Sequence, residues 1–305
     1  MPIINQIVKG GGGSAPGCYV EKSVDGNQKL VGGSSFIDLT GAADLGDYVL
    51  AYAYYGNTSF NGTADMSGLT DISGDAALFH AFEKSGITEL DISNVTQNTG
   101  SAPCEYMCSE CLSLTSVDLS SYTTLSGFSH AFYGCANLNN VEIDMAEALV
   151  GCDNMFSYSG LTDFDFGGIL TINGSSELFA YCTYLSSVDA SSVTSIGSYG
   201  AQYMLYHCTT LTTMSWDSLD TLGYQALYGA YAYSGIQELW FYVLSTFDQD
   251  VDPDNDPDSD PFMNMLEGVD GCTVHFPAAL QSTIGNWPSV QAGFAGTNTT
   301  VLFDL

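Results

Sequence analysis

The sequence predicts an α/β, mostly β solenoid of about nine to ten repeats of 23–27 residues, with a parallel sheet on one face. Three observations predict it. A short apolar–polar–apolar triple returns along most of the 305 residues. Further apolar, bulky and small positions follow that triple at steady offsets. A chain with 45% hydrophobic and only 13% charged residues has ample material for a long core.

The triple is clearest in Leu114-Thr-Ser-Val117-Asp118-Leu119-Ser120. It returns as Ile87-Thr-Glu-Leu90-Asp91-Ile92-Ser93, Leu161-Thr-Asp-Phe164-Asp165-Phe166 and Leu185-Ser-Ser-Val188-Asp189-Ala190-Ser191. Weaker copies centre on Glu142, Ser215 and Trp240, with Asp38 and Asp65 before the clear copies and His275 after them. The centres at 38, 65, 91, 118, 142, 165, 189, 215 and 240 are 27, 26, 27, 24, 23, 24, 26 and 25 residues apart, and a last step of 35 holds an insertion. One copy is too short to bury its own apolar face, whereas stacked copies share one core. A period of two makes the triple a short strand with its centre turned outward.

About eight residues after the first apolar residue of each strand comes another: Leu45, Ile72, Leu125, Leu149, Ile172, Ile196, Leu222 and Phe247, with the third copy missing this slot. Some 15 to 18 residues on comes a bulky slot: Tyr52, Phe79, Phe132, Phe156, Phe179, Leu205 and Tyr231. A small slot lies three residues beyond the last five of these, at Cys135, Ser159, Cys182, Cys208 and Ser234, and Ser85 and Cys111 fill the same place. Turns or single helical turns are expected between the sheet and its return.

The pattern L-x-x-V-D-L-S, an apolar residue and then F-x-x-C resembles the BspA-type leucine-rich repeat. It is also similar to the repeat of bacterial surface lipoproteins, as in Met155-Phe156-Ser-Tyr-Ser159-Gly-Leu161-Thr. The resemblance covers residues 34–276 and implies a leucine-rich-repeat solenoid. It implies function only broadly, since such repeats occur in bacterial adhesins, secreted protist proteins and phage-encoded proteins.

Residues 1–33 precede the repeats as an apolar peg, Ile3, Ile4, Ile7 and Val8, and a Gly-rich linker through Gly10–Gly13. Either a tail or a peg that docks the solenoid onto a larger assembly, and so mediates oligomer formation, fits this segment. Residues 277–305 carry Trp287, Phe294, Val301, Leu302 and Phe303, enough to cap the open end of a solenoid core.

Charge excludes several functions. The only basic residues are Lys9, Lys22, Lys29 and Lys84, against 35 acidic ones, for a formal net charge of −31. Four lysines supply neither the counterion-releasing stripe of a nucleic-acid binder nor a patch for anionic lipid. No apolar run is long enough to span a membrane, and the N-terminus lacks the features of a signal peptide. No nucleophile elbow, P-loop or dinucleotide motif occurs, so neither an enzyme nor a cofactor is expected.

Three clusters remain. The outward strand centres Asp38, Asp65, Asp91, Asp118, Glu142, Asp165 and Asp189 form a carboxylate ladder that ends in Ser215, Trp240 and His275. Like charges side by side on a sheet destabilise it, so the ladder is either a binding surface or a set of carboxylates held by neighbouring hydroxyls and backbone. Trp240, His275 and Trp216 suggest a patch suited to carbohydrate, although Trp216 occupies an inward position. The insertion 248–261 alternates aspartates, including Asp250, Asp252, Asp254, Asp256 and Asp258; it reads as a solvated acidic loop or as an oxygen-rich calcium site. Cys104, Cys108 and Cys111 match a cluster-binding spacing, yet Cys111 already belongs to the small slot, so the three are expected to be core residues. His80 and His130 lie near matched points of different repeats, each just before a Phe, and are expected to be structural; His207 is scattered.

The function expected is a non-enzymatic binding and adhesion module. It would present an acidic, rigid sheet face to a protein or glycan on a cell surface or virion, as a phage virion or host-attachment component. The alternatives are a bacterial surface adhesin exported without a visible leader and a self-assembling structural subunit.

Overall fold

The computed structural model describes residues 19–22, 28–31, 45, 47–248, 259–285, 287–292, 294 and 296–305. They fall into two compact units, 1–146 and 147–305.

The first unit opens with an antiparallel hairpin, β1 (Tyr19–Lys22) and β2 (Gln28–Val31). The repeats then contribute two short strands each. The first of each pair, β3 (Thr63–Asp65), β5 (Glu89–Asp91), β7 (Ser116–Asp118) and β9 (Asn140–Glu142), make one parallel sheet in that order. The second, β4 (Asp71–Ile72) and β6 (Gln97–Asn98), pair in parallel beside it, with β8 (Leu125–Ser126) next in chain order. The centres of β3, β5 and β7, Ala64, Leu90 and Val117, are buried, and their flanking residues are not. That alternation is the period of two in the sequence.

In the second unit β10 (Ala148–Val150), β12 (Thr171–Asn173), β14 (Ser195–Ile196), β16 (Thr221–Leu222) and β18 (Thr246–Phe247) form a parallel ladder. β11 (Asp163–Asp165) pairs with β13 (Ser187–Asp189). β15 (Thr213–Trp216), β17 (Glu238–Phe241), β19 (Thr273–Phe276) and β20 (Thr300–Phe303) form a second parallel sheet. Two four-residue helices, α1 (Gln281–Ile284) and α2 (Pro288–Gln291), join its last two strands. Trp287 and Phe294 are buried near Phe262, and Phe303 stacks on Phe276 at 5.8 Å. Among the described residues no helix is long and apolar enough to cross a membrane. The fold is thus a mostly β leucine-rich-repeat solenoid with parallel sheets.

The return wall of each repeat consists of turns. Amides of Leu50, Tyr52 and Tyr54 donate to the carbonyls of Ala77, Phe79 and Ala81 in the next repeat at 2.9, 2.9 and 2.7 Å. The intervening Ala51 and Ala53 donate back to Tyr48 and Leu50. This zigzag sets every fourth residue in left-handed backbone, as at Tyr48, Tyr52 and Gly56 (φ 55°, 57° and 65°). Such a conformation costs a non-glycine residue about 1–2 kcal/mol. It recurs because it lets alternate amides bond to the neighbouring repeat, which satisfies the wall without helices.

The wall corrects the register of the bulky slot in the first repeats. Tyr52 is 43% exposed, and Phe79 is only half-buried. The buried residues are Tyr54 and Phe82, stacked at 5.3 Å. Tyr52 occupies a left-handed position and turns outward, so the core takes Tyr54, two residues on; in the next repeat His80 is the left-handed residue and the core takes Phe82, three residues after Phe79. In this register Cys108 holds the bulky slot of the next repeat, and Ser85 and Cys111 fall three residues on, as elsewhere.

The small slot has a polar reason as well as a steric one. The thiols of Cys111, Cys135, Cys182 and Cys208 donate to the carbonyls of Phe82, Cys108, Phe156 and Phe179 at 2.9–3.1 Å. Each carbonyl belongs to the bulky slot of the preceding repeat. A small side chain with one donor fits there, which is why serine and cysteine interchange. None of the eight described cysteines forms a disulfide, and burial pushes the Cys182 thiol up to about 11. The third copy's missing apolar residue is Asn98. It is buried beside Ile72 in register, donates to the Ser126 carbonyl at 3.1 Å and accepts from the Tyr122 hydroxyl at 3.3 Å.

Candidate partner-binding site

The outward strand centres line up as the repeat requires. Asp65 lies beside Asp91 and Asp118 beside Glu142 in the first unit, and Asp165 lies beside Asp189 in the second. The side chains are exposed or half-buried. Each aspartate also closes its own turn. Oδ1 of Asp65, Asp91 and Asp118 accepts from both the amide and the hydroxyl of the serine two residues on, with O···O distances of 2.6, 2.7 and 2.5 Å. Asp165 accepts from the Gly167 amide at 2.7 Å and Asp189 from the Ser191 amide at 2.9 Å. The hydroxyl and then the amide of Ser191 hold the Asp189 carboxyl below the usual carboxylate range. The D-x-S spacing is therefore a structural device that offsets the repulsion along the row. Because Asp91 and Asp118 place a single oxygen in the turn, an acceptor atom remains on each for a partner.

In the second unit the same row becomes Ser215, Trp240 and His275. The indole of Trp240 stacks on the His275 imidazole, centroids 5.5 Å apart and planes 11° apart. His275 Nδ1 lies 3.0 Å from an Asp304 carboxylate oxygen, which fixes the imidazole plane. Trp216 does not join this patch. It is fully buried and donates its indole N–H to the Tyr231 hydroxyl at 2.7 Å.

The left-handed positions of the wall carry a second feature, which the sequence reading missed. In the first unit Tyr52, His80, Tyr106 and His130 stack in succession, with centroids 4.8, 4.6 and 4.5 Å apart and planes within 18°. In the second unit the row runs Tyr158, Tyr181, His207 and Tyr233 at 4.5, 4.9 and 5.2 Å. The expected structural role of His80 and His130 is thus a place in a ring stack, and His207 holds the equivalent place in the second unit. A signal was available: Tyr or His stands two residues before the buried slot in one unit and two after it in the other. Burial, and then nearby Glu83 or Glu105, pushes the Tyr52 and Tyr106 phenols up, so both stay neutral. His80 pairs with Glu83, whose other oxygen accepts from Lys84 at 2.9 Å.

Asp38, the apolar residues Ile3, Ile4, Ile7 and Val8, and the run Asp250, Asp252, Asp254, Asp256 and Asp258 lie outside the described residues. Among the described residues no three His, Cys, Asp or Glu side chains are grouped to hold a metal ion.

A family model for the BspA type leucine-rich repeat region matches in six copies over residues 51–145 and 104–233, more than half of the chain. No curated protein matches. Among solved structures, one similar chain is a leucine-rich cell surface protein from Faecalibacterium prausnitzii. It shares 14% identity at a TM-score of 0.35, with 94% of this chain and 95% of that one covered. The L-x-x-V-D-L-S strands, the thiol-or-hydroxyl slot and the six matched copies agree, and the chain belongs to the BspA-type leucine-rich-repeat family.

Proposed function

We propose that this chain is a non-enzymatic adhesion module of a cell or particle surface, which binds a basic protein partner through the carboxylates of its first sheet. The observation that carries the reading is the row of adjacent carboxylates Asp91, Asp118 and Glu142, whose aspartates each use one oxygen in a turn. Aspartates already held in turns need little further ordering of their own to meet lysine and arginine side chains, and a formal net charge of −31 steers cationic partners toward the chain. Leucine-rich-repeat proteins commonly bind proteins, and membership of the BspA-type family supports a surface location. A place on a phage particle or a host-attachment apparatus is one form of this role, with the apolar residues Ile3, Ile4, Ile7 and Val8 as the anchor.

The test uses beads coated with the chain and cultured epithelial cells. Asp91→Asn with Asp118→Asn keeps both turns and removes two charges from the sheet face. Attachment is expected to fall about tenfold, whereas Glu105→Gln with Glu110→Gln on the turn wall leaves it within about twofold. Equal losses from the two pairs would overturn the sheet-face reading.

A further inference from the structure

The second unit holds a groove that the carboxylate row does not explain. It has a volume of about 250 Å³, and its lining includes the hydroxyls of Ser186, Ser187, Thr213 and Ser215 and the rings of Trp240 and Tyr242. Its origin is a difference in side-chain height. The outward residues of β15, Thr213 and Ser215, are short, whereas the next strand sets Glu238 beside Thr213 and the tall Trp240 beside Ser215, with Tyr242 in the turn after it. Tyr242 is 46% exposed. In register Trp240 has His275 on one side and Ser215 on the other. Its one face is covered by the imidazole, which Asp304 holds in plane, while the short Ser215 leaves the opposite side toward the groove uncovered.

We propose that this groove binds a neutral pyranose ring of a glycan, independently of the carboxylate face. An aromatic face held in a fixed plane takes the C–H side of a sugar, and clustered hydroxyls donate to and accept from its OH groups. Charge selects the class of ligand. The residues that line the groove are uncharged below the phenol range, and the carboxylates on the same strands, Glu238 beside Thr213 and Asp189 two residues after Ser187, stand outside that lining. All four lysines lie at or before Lys84, and the imidazole beside the groove, His275, is already paired with Asp304, so the second unit offers no free cation to an acidic sugar either. A neutral ring is what remains.

The experiment titrates the full chain with maltotriose, cellotriose, chitotriose and trilysine, followed by tryptophan emission and ligand-observed saturation-transfer NMR. Trp216 and Trp287 are buried, so Trp240 is the tryptophan that reports a ligand in the groove. At least one neutral trisaccharide is expected to give a saturable signal that is indifferent to salt. Trp240→Ala should weaken it about tenfold or more. Ser215→Phe, which fills the floor and leaves Trp240 in place, should do the same without lowering the melting point, and Glu105→Gln on the turn wall of the first unit should leave the sugar signal unchanged. No saturable response to any of the three sugars, a response that survives both groove variants, or a response to trilysine alone that fades with salt would overturn the proposal. Because the carboxylate face is tested by cell attachment and this groove by soluble sugars, either reading can fall alone.

Discussion

The two units use one strand geometry for two chemistries. In the first, the outward slot is Asp65, Asp91, Asp118 and Glu142, each next to another carboxylate. At the end of the second it is Ser215, Trp240 and His275, a ring stack beside a groove. The inward residues barely differ in kind: Leu90 and Val117 in one unit, Met214 and Leu239 in the other, all buried. The turn wall repeats the lesson, because the ring stack occupies one left-handed row in the first unit and the next row in the second. Core positions are constrained by packing, whereas outward positions need only avoid unpaired charge, so the outward chemistry can change from one repeat to the next.

The sharpest break of the comparison is between the two tryptophans of neighbouring strands. Trp216→Ala removes a fully buried ring and leaves the Tyr231 hydroxyl without its indole donor, and a loss of about 3–5 kcal/mol is expected in chemical denaturation. Trp240→Ala, in the outward slot, should cost under about 1 kcal/mol. A similar cost for both would mean that the outward slot is part of the core.

Gly268 and Gly271 separate backbone strain from ring contact in the wall. Both have left-handed φ, 73° and 77°, but an added Cβ at Gly268 would lie 2.4 Å from the Tyr233 ring and at Gly271 meets nothing within 4 Å. Each change to alanine should cost about 1 kcal/mol for the backbone. Gly268→Ala should cost about 1–2 kcal/mol more, because it lifts Tyr233 off its place in the stack. Equal melting points would show that the stack gives way freely.

A smaller effect tests the carboxylate row. Asp118→Ala removes the acceptor for the Ser120 amide and hydroxyl and should lower stability by about 1 kcal/mol. Asp118→Asn keeps that acceptor and relieves repulsion with Glu142, so its melting point should equal or exceed that of the parent.

Two aspartates of the second unit should respond to pH with opposite sign. Asp189 has its carboxyl held below the ordinary value of 3.8, so its contribution is present above that value and is lost as pH falls through the lower folded one. Asp260 is 1% exposed and burial raises its carboxyl, so its contribution is present below 3.8 and is lost as pH rises through the raised folded value. Asp260→Asn is therefore expected to leave melting unchanged at pH 3 and to raise it at pH 7. A gain at pH 3 alone would reverse the sign.

Much of this is legible in the residue pattern alone. The strand centres read from the L-x-x-V-D-L-S pattern fall within or at the end of observed strands from Asp65 to His275, because a period of two transmits directly into which residue is buried. The second ladder follows the predicted apolar residues, and even its gap at the third copy is a real buried asparagine. The bulky slot slipped at Tyr52 and Phe79, since left-handed backbone at every fourth wall residue has no composition signal in tyrosine or histidine. The antiparallel hairpin of β1 and β2 was also not foreseen. Of the site, the carboxylate row was visible as a row, but its capture by serines was only one of two open readings.

By itself the sequence determined the repeat, its length, the inward residues and the near-absence of cations, because burial and charge act on residue type and spacing alone. Only the tertiary structure decided which rings stack, which face of Trp240 stays uncovered and where a short Ser215 opens a groove. These depend on side chains some 25 residues apart in the chain that the ladder brings to one strand spacing, and no local pattern records which neighbour will be short and which tall.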